Sequence, residues 1–195
     1  MSELTEESIL SYFKTHGEIN SNIDKNQILK ASSIILKKIK DQKNIFTMGN
    51  GGSAHNASHF ITDWSKMANV HSGIKVRGIC LNDNNGLITA YSNDISFSEI
   101  FSGQLKYLMN EGDLVIAVSG SGNSQNVVKA VEYANENGGT SIAFVGYDGG
   151  KLKDLAHHTI HVPSFDMQIC EDAHLSIGHI IMKYLCSIDS KLIEK

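Results

Sequence analysis

The chain has 195 residues, 41% of them hydrophobic and 19% charged, a balance that supports a folded core and argues against disorder. Its 17 basic side chains against 21 acidic ones leave a net charge of -4 at pH 7, and Arg77 is the only arginine. This excludes a basic nucleic-acid footprint and leaves any phosphate recognition to backbone amides, hydroxyls and lysines.

The opening Met1-Ser-Glu-Leu-Thr-Glu-Glu7 is acidic where a secretory leader is basic and then apolar. No apolar run reaches the roughly 20 residues that span a bilayer. Three widely spaced cysteines, Cys80, Cys170 and Cys186, fit neither a disulfide framework nor a paired-thiol zinc site. A cytoplasmic, reduced protein is expected, with no membrane and no nucleic acid among its partners. Residues 1–42 carry helical spacing through Ile9, Leu10 and Phe13, then Ile28, Leu29, Ile35, Leu36 and Ile39. Asn22 or Asp24 caps the second of these helices. Two apolar helices ahead of a sheet suggest packing in an oligomer.

From Lys43 the pattern changes. Strands are expected at 44–48, 78–81, 113–118, 140–145 and 158–162. Between them lie helices from about Ala54 to Lys66, after Gly86, and from about Ser124 to Glu136; a long one runs from Cys170 to Ser187. Continuous apolar strands alternating with helices describe a buried parallel sheet in an α/β core over residues 43–195. The unit of strand, Ser/Gly turn and helix occurs twice, around Gly49 to Ala54 and around Ser119 to Ser124. With one proline, Pro163, and no low-complexity linker, residues 1–195 read as one domain.

Gly49-Asn-Gly-Gly-Ser-Ala54 lets amides at a helix N-terminus face an anion, and Ser53 adds a hydroxyl. The same run fits a dinucleotide fingerprint, although the next strand ends only near Asp83, and it also fits a plain tight turn. Ser119-Gly-Ser-Gly-Asn-Ser124 offers three hydroxyls and free amides to a phosphate without a Walker lysine. His59 and Asp63 share a helix face as an acid–base pair, two metal ligands or a surface ion pair. Glu171, His174 and His179 lie on the last helix, Glu171 and His179 two turns apart and roughly on one side; a polar helix edge is the plain reading. Asn93-Asp94 suits a sugar hydroxyl or an Asx turn. His157, His158 and His161 read as an exposed loop and strand edge, and Trp64 as packing.

Taken in order, Gly49–Ala54 with His59, Ser119–Ser124 and Ala173-His-Leu-x-x-x-His179 resemble the phosphoheptose isomerases of the sugar isomerase (SIS) superfamily. Ser92-Asn-Asp94, Phe97-x-Glu-Ile-Phe-Ser-x-Gln-Leu105 and Gly112-Asp-Leu-Val115 extend the likeness from about Ile9 to Leu185. The resemblance implies a three-layer sandwich on a five-stranded parallel sheet, with N-terminal helices building a homotetramer. It implies interconversion of D-sedoheptulose 7-phosphate and D-glycero-D-manno-heptose 7-phosphate, the entry to activated heptoses of lipopolysaccharide or capsule. By similarity Ser53, Ser119, Gly120, Ser121 and Ser124 hold the substrate, chiefly its phosphate. Asn50, Gly51, Gly52, Asn93, Asp94 and Glu171 contact the sugar, and Asp63 and His179 are the acid–base pair. One zinc per subunit falls to His59, Asp63, Glu171 and His179. Two positions depart from the family pattern: Asp63 stands where glutamate is usual, and Glu171 where glutamine is. A non-catalytic SIS regulator that senses sugar phosphate or binds a protein is the alternative.

Overall fold

In the computed structural model, residues 3–189 are described. Two helices lead: α1 (Glu6–Asn22), opened by a Thr5–Ser8 capping box, and α2 (Lys25–Lys40), whose cap is Asp24. Five strands follow: β1 (Asn44–Gly49), β2 (Arg77–Cys80), β3 (Leu114–Ser119), β4 (Thr140–Val145) and β5 (His158–His161). The helices between and after them are α3 (Gly52–Ser72), α4 (Asn85–Asp94), α5 (Ser102–Leu108), α6 (Gln125–Glu136), α7 (Gly150–Leu155) and α8 (Met167–Cys186). All strand pairs are parallel, in the order β2-β1-β3-β4-β5.

Both faces of the sheet are covered, so alternate residues of one strand enter different cores. Ile45, Leu114, Ile116, Val118, Ile142, Phe144 and Ile160 pack under α2, α3 and α8. Phe46, Met48, Val115, Ala117, Ala143 and Val145 pack under α5 and α6. That is the expected α/β sandwich.

Strand boundaries fall within a residue or so of expectation, while two helices run longer. α3 continues to Ser72, where Gly73 closes it in the left-handed region at φ 70°. α8 starts three residues early, because the Asp166 side chain accepts from the amides of Gln168 and Ile169. Asn93 and Asp94 lie in the last turn of α4 rather than in a connecting segment, with Asn93 donating to the Asp94 carboxylate at 2.8 Å. The histidine trio also needs correction. His157 is exposed, but His158 is buried with Nε2 2.7 Å from the Gln27 carbonyl, and His161 Nε2 lies 2.8 Å from that of Tyr147. These rings tie α2 and the β4–α7 loop to the edge strand β5.

No helix among the described residues is long and apolar enough to cross a membrane. Helix α1 has no buried residue and leaves Ile9, Leu10 and Phe13 exposed; it meets α8 where the Tyr12 hydroxyl donates to Asp172 at 2.7 Å.

Candidate active site

The connections leaving β1 and β3 diverge, α3 leading to β2 on one side and α6 to β4 on the other. Such a switch point opens a crevice at the carboxyl ends of the strands, where α/β sheets bind ligands. Both glycine/serine loops meet there. A cavity of about 250 Å³ is lined by Asn50, Gly51, Gly52, Ser53, Ser119, Gly120, Ser121 and Ser124, with Met167 and Glu171 from α8.

Local chemistry holds this mouth open. Asn50 and Asn126 exchange two amide hydrogen bonds of 2.9 Å and lock one loop to the other. Asn82 grips Gly49 through both backbone groups, at 3.1 and 2.9 Å. Gly51 sits at φ 55°, ψ -126°, which favours glycine. A Cβ on Gly52 would collide with the Glu171 carboxylate. The helix starts are informative too. Thr5, Asp24, Asn84 and Asp166 cap α1, α2, α4 and α8 with their side chains. Gly51 and Ser124, which open α3 and α6 at the cavity, supply no side-chain cap, as is also true of the short helices α5 and α7. The starts of α3 and α6 border the cavity with serine hydroxyls beside them, an arrangement suited to an anion.

A second cluster forms further along the same helices. His59 Nε2 lies 3.0 Å from His179 Nε2, and the Asp63 Oδ2 atom lies 3.3 Å from the first and 3.5 Å from the second. Zinc bonds of about 2.0–2.2 Å in a tetrahedron set neighbouring donors about 3.3–3.5 Å apart; both Asp63 edges match this, and the imidazole–imidazole edge falls a few tenths of an ångström short. Both imidazoles are partly exposed, which leaves a fourth direction open to a ligand. The donor set therefore fits the ion. Glu171 is not part of this cluster within the protomer. Two helical turns, about 12 Å, separate it from His179 along α8, and its carboxylate lies beside Gly52 in the serine cavity. Asn93 and Asp94 do not line that cavity either.

Sequence reasoning missed Asn82 and Asn126, which organise the loops. Their signal was only a polar residue after a strand and another in the first turn of a helix. His174, expected on a polar helix edge, is instead fully buried edge-on to Phe144, with no hydrogen-bond partner on either ring nitrogen. Burial outweighs the opposing effect of the Val145 backbone and pushes its pKa from 6.5 down to about 4. Between those values the unfolded chain takes up a proton that the folded chain refuses, so acid favours unfolding. This contribution to stability is complete above about pH 6.5 and is lost as pH falls through about 4, some ~3 kcal/mol in all. Urea unfolding of wild type and His174→Leu at pH 7 and pH 4 checks it: the variant should lack that part of the acid loss. Equal losses in both would sink the assignment.

A family model for the SIS domain matches residues 11–146. A phosphoheptose isomerase of Aquifex aeolicus is 35% identical over 155 residues, 80% of this chain and 81% of that one. Another, from Nitratiruptor sp., is 35% identical over 188 residues, 96% and 97% of the two chains. The chain belongs to the phosphoheptose isomerase family. The structure of a phosphoheptose isomerase from Francisella tularensis matches it with a TM-score of 0.87 at 27% identity, covering 95% of this chain and 100% of that one. The family resemblance drawn from the motifs therefore holds, and with it the SIS-type fold.

Proposed function

We propose that the protein interconverts D-sedoheptulose 7-phosphate and D-glycero-D-manno-heptose 7-phosphate, supplying activated heptose for lipopolysaccharide or capsule. The observation that carries this reading is the pairing of an uncapped double helix start, suited to phosphate, with a carboxylate–imidazole cluster on the helices leaving it. From Ser53 to His59 α3 rises about 9 Å, and from Glu171 to His179 α8 rises about 12 Å. A seven-carbon chain ending in phosphate spans about 10 Å, so its two ends match the two clusters.

Ser53, Ser119, Ser121 and Ser124 hold the phosphate together with the α3 and α6 amides. Asn50 and Glu171 meet hydroxyls of the chain, and Asn93 and Asp94 complete the sugar site across a subunit junction. Isomerisation needs a base at the carbon beside the carbonyl and an acid at the oxygen. Asp63 carries the proton between the two carbons, and His179 exchanges protons with the oxygens of the enediol. His59, Asp63 and His179 hold one zinc per subunit, and Glu171 is too far along α8 to join them without the neighbouring subunit. When bound, zinc polarises the carbonyl as a Lewis acid. Turnover of sedoheptulose 7-phosphate, with and without added zinc, is the test; no aldose product in either case removes the reading.

Ser121→Ala should raise KM several-fold and change kcat little, because the phosphate lies far from the reacting carbons and its binding is shared by ground and transition states. Steady-state kinetics check this, and an unchanged KM would make the loop structural only.

The exposed apolar stripe of α1 supports a homotetramer, with Ile180 and Tyr184 of α8 adding further uncovered apolar surface. Light scattering should return four times the chain mass, and a stable monomer at micromolar concentration would remove the assembly. Three free cysteines, two of them buried, suit a reducing cytoplasm.

A further inference from the structure

Each donor of the His59–Asp63–His179 cluster has a neighbour in sequence that faces the interior. Beside His59 is Phe60, beside Asp63 is Trp64, and beside His179 is Gly178. Those three inner residues meet one another between α3 and α8. Phe60 and Trp64 stack with centroids 5.2 Å apart at 9°, and Phe144 of β4 backs the Phe60 ring at 5.3 Å. The Trp64 indole N–H donates to the Gly178 carbonyl at 3.0 Å. The Phe60 ring occupies the space that a Cβ on Gly178 would need. With exposures of 1% and 0%, Phe60 and Trp64 have nowhere to retreat.

Helix α8 thus approaches α3 at a residue without a side chain. The donors stand one residue away from that contact on both helices, so the approach sets the gap they must bridge. Aspartate has a short reach, and Asp63 still comes within 3.5 Å of His179. We propose that Gly178 is a positioning residue for the ion site: its missing Cβ brings His179 within range of His59 and of the short Asp63 carboxylate. The inference rests on the zinc reading above. Alanine at this position must push the helices apart, because ordinary carbon–carbon contacts lie at about 3.5–4.0 Å. Glycine inside a helix is otherwise unfavourable, so packing has to explain its presence.

Calorimetric titration of zinc into metal-stripped protein tests this independently of turnover. Gly178→Ala should bind zinc at least tenfold more weakly than wild type. Phe60→Leu/Gly178→Ala, which gives the new Cβ room, should recover most of the affinity. Asp63→Glu should weaken binding in the wild-type background and strengthen it in the Gly178→Ala background, where the longer carboxylate spans the wider gap. The proposal is overturned if Gly178→Ala binds zinc like wild type, if relief at Phe60 restores nothing, or if Asp63→Glu acts with the same sign in both backgrounds. Should Gly178→Ala not fold, Phe60→Leu/Gly178→Ala decides alone: near wild-type affinity supports the proposal and lost affinity ends it. A wild type that takes up no zinc also ends it. Zinc binding without sedoheptulose 7-phosphate turnover defeats the isomerase reading only, and the titrations still decide the role of Gly178.

Discussion

Asp63→Asn is expected to lower kcat about 10³-fold at saturating zinc, with KM changed only a few-fold. The substitution keeps the size of the side chain and removes its capacity to take a proton from carbon, and positioned acid–base groups contribute about 10²–10⁴-fold. Phosphate binding at Ser53 lies nearly three turns away along α3 and should be undisturbed. Steady-state kinetics on sedoheptulose 7-phosphate give the answer. A loss confined to KM would assign Asp63 to binding, and a fully active variant would move the base elsewhere. His179→Asn should fall by a similar factor through the oxygen protons, with losses well short of additive in the double variant, because the two residues act as a unit.

Trp64→Ala is expected to cost about 3–5 kcal/mol of folding stability, a large part of the 5–15 kcal/mol typical of a domain. The indole is fully buried, stacked on Phe60 and hydrogen-bonded to the Gly178 carbonyl, so truncation opens a cavity between α3 and α8 and removes a buried hydrogen bond. Chemical denaturation followed by circular dichroism measures the loss. A cost under about 1 kcal/mol would show that the seam closes on itself. Because the site donors sit beside this seam, Trp64→Phe, which keeps most of the bulk, should retain more zinc affinity than Trp64→Ala at equal folded fraction.

Much of this molecule was legible in one dimension. Continuous apolar runs such as Leu114–Val118 and Ile142–Val145 have only one use in an α/β chain, a strand covered on both faces, so sheet type and strand positions followed from hydrophobic burial alone. The glycine and serine loops were legible as strand-to-helix turns with amides and hydroxyls to offer, because glycine tolerates the backbone geometry such turns need. His59 and Asp63 shared a face by helical periodicity, a purely local rule.

Tertiary structure decided the rest, since it concerns pairs distant in sequence. Nothing local says that β1 and β3 are neighbours, yet that adjacency brings the loops after Gly49 and Ser119 to one cavity and lets Asn50 pair with Asn126. The last helix carries Glu171 and His179 to different clusters, because 12 Å of rise outruns any shared face. His158 looked like an exposed strand edge until α2 covered it, and His174 looked like part of a polar helix edge until Phe144 enclosed it. Gly178 is the sharpest case. In the sequence it is an ordinary helix weakener; against the Phe60 ring it is what lets two helices come close enough for three donors to meet. Periodicity fixes which way a side chain faces, and only the packing of one element on another fixes what it finds there.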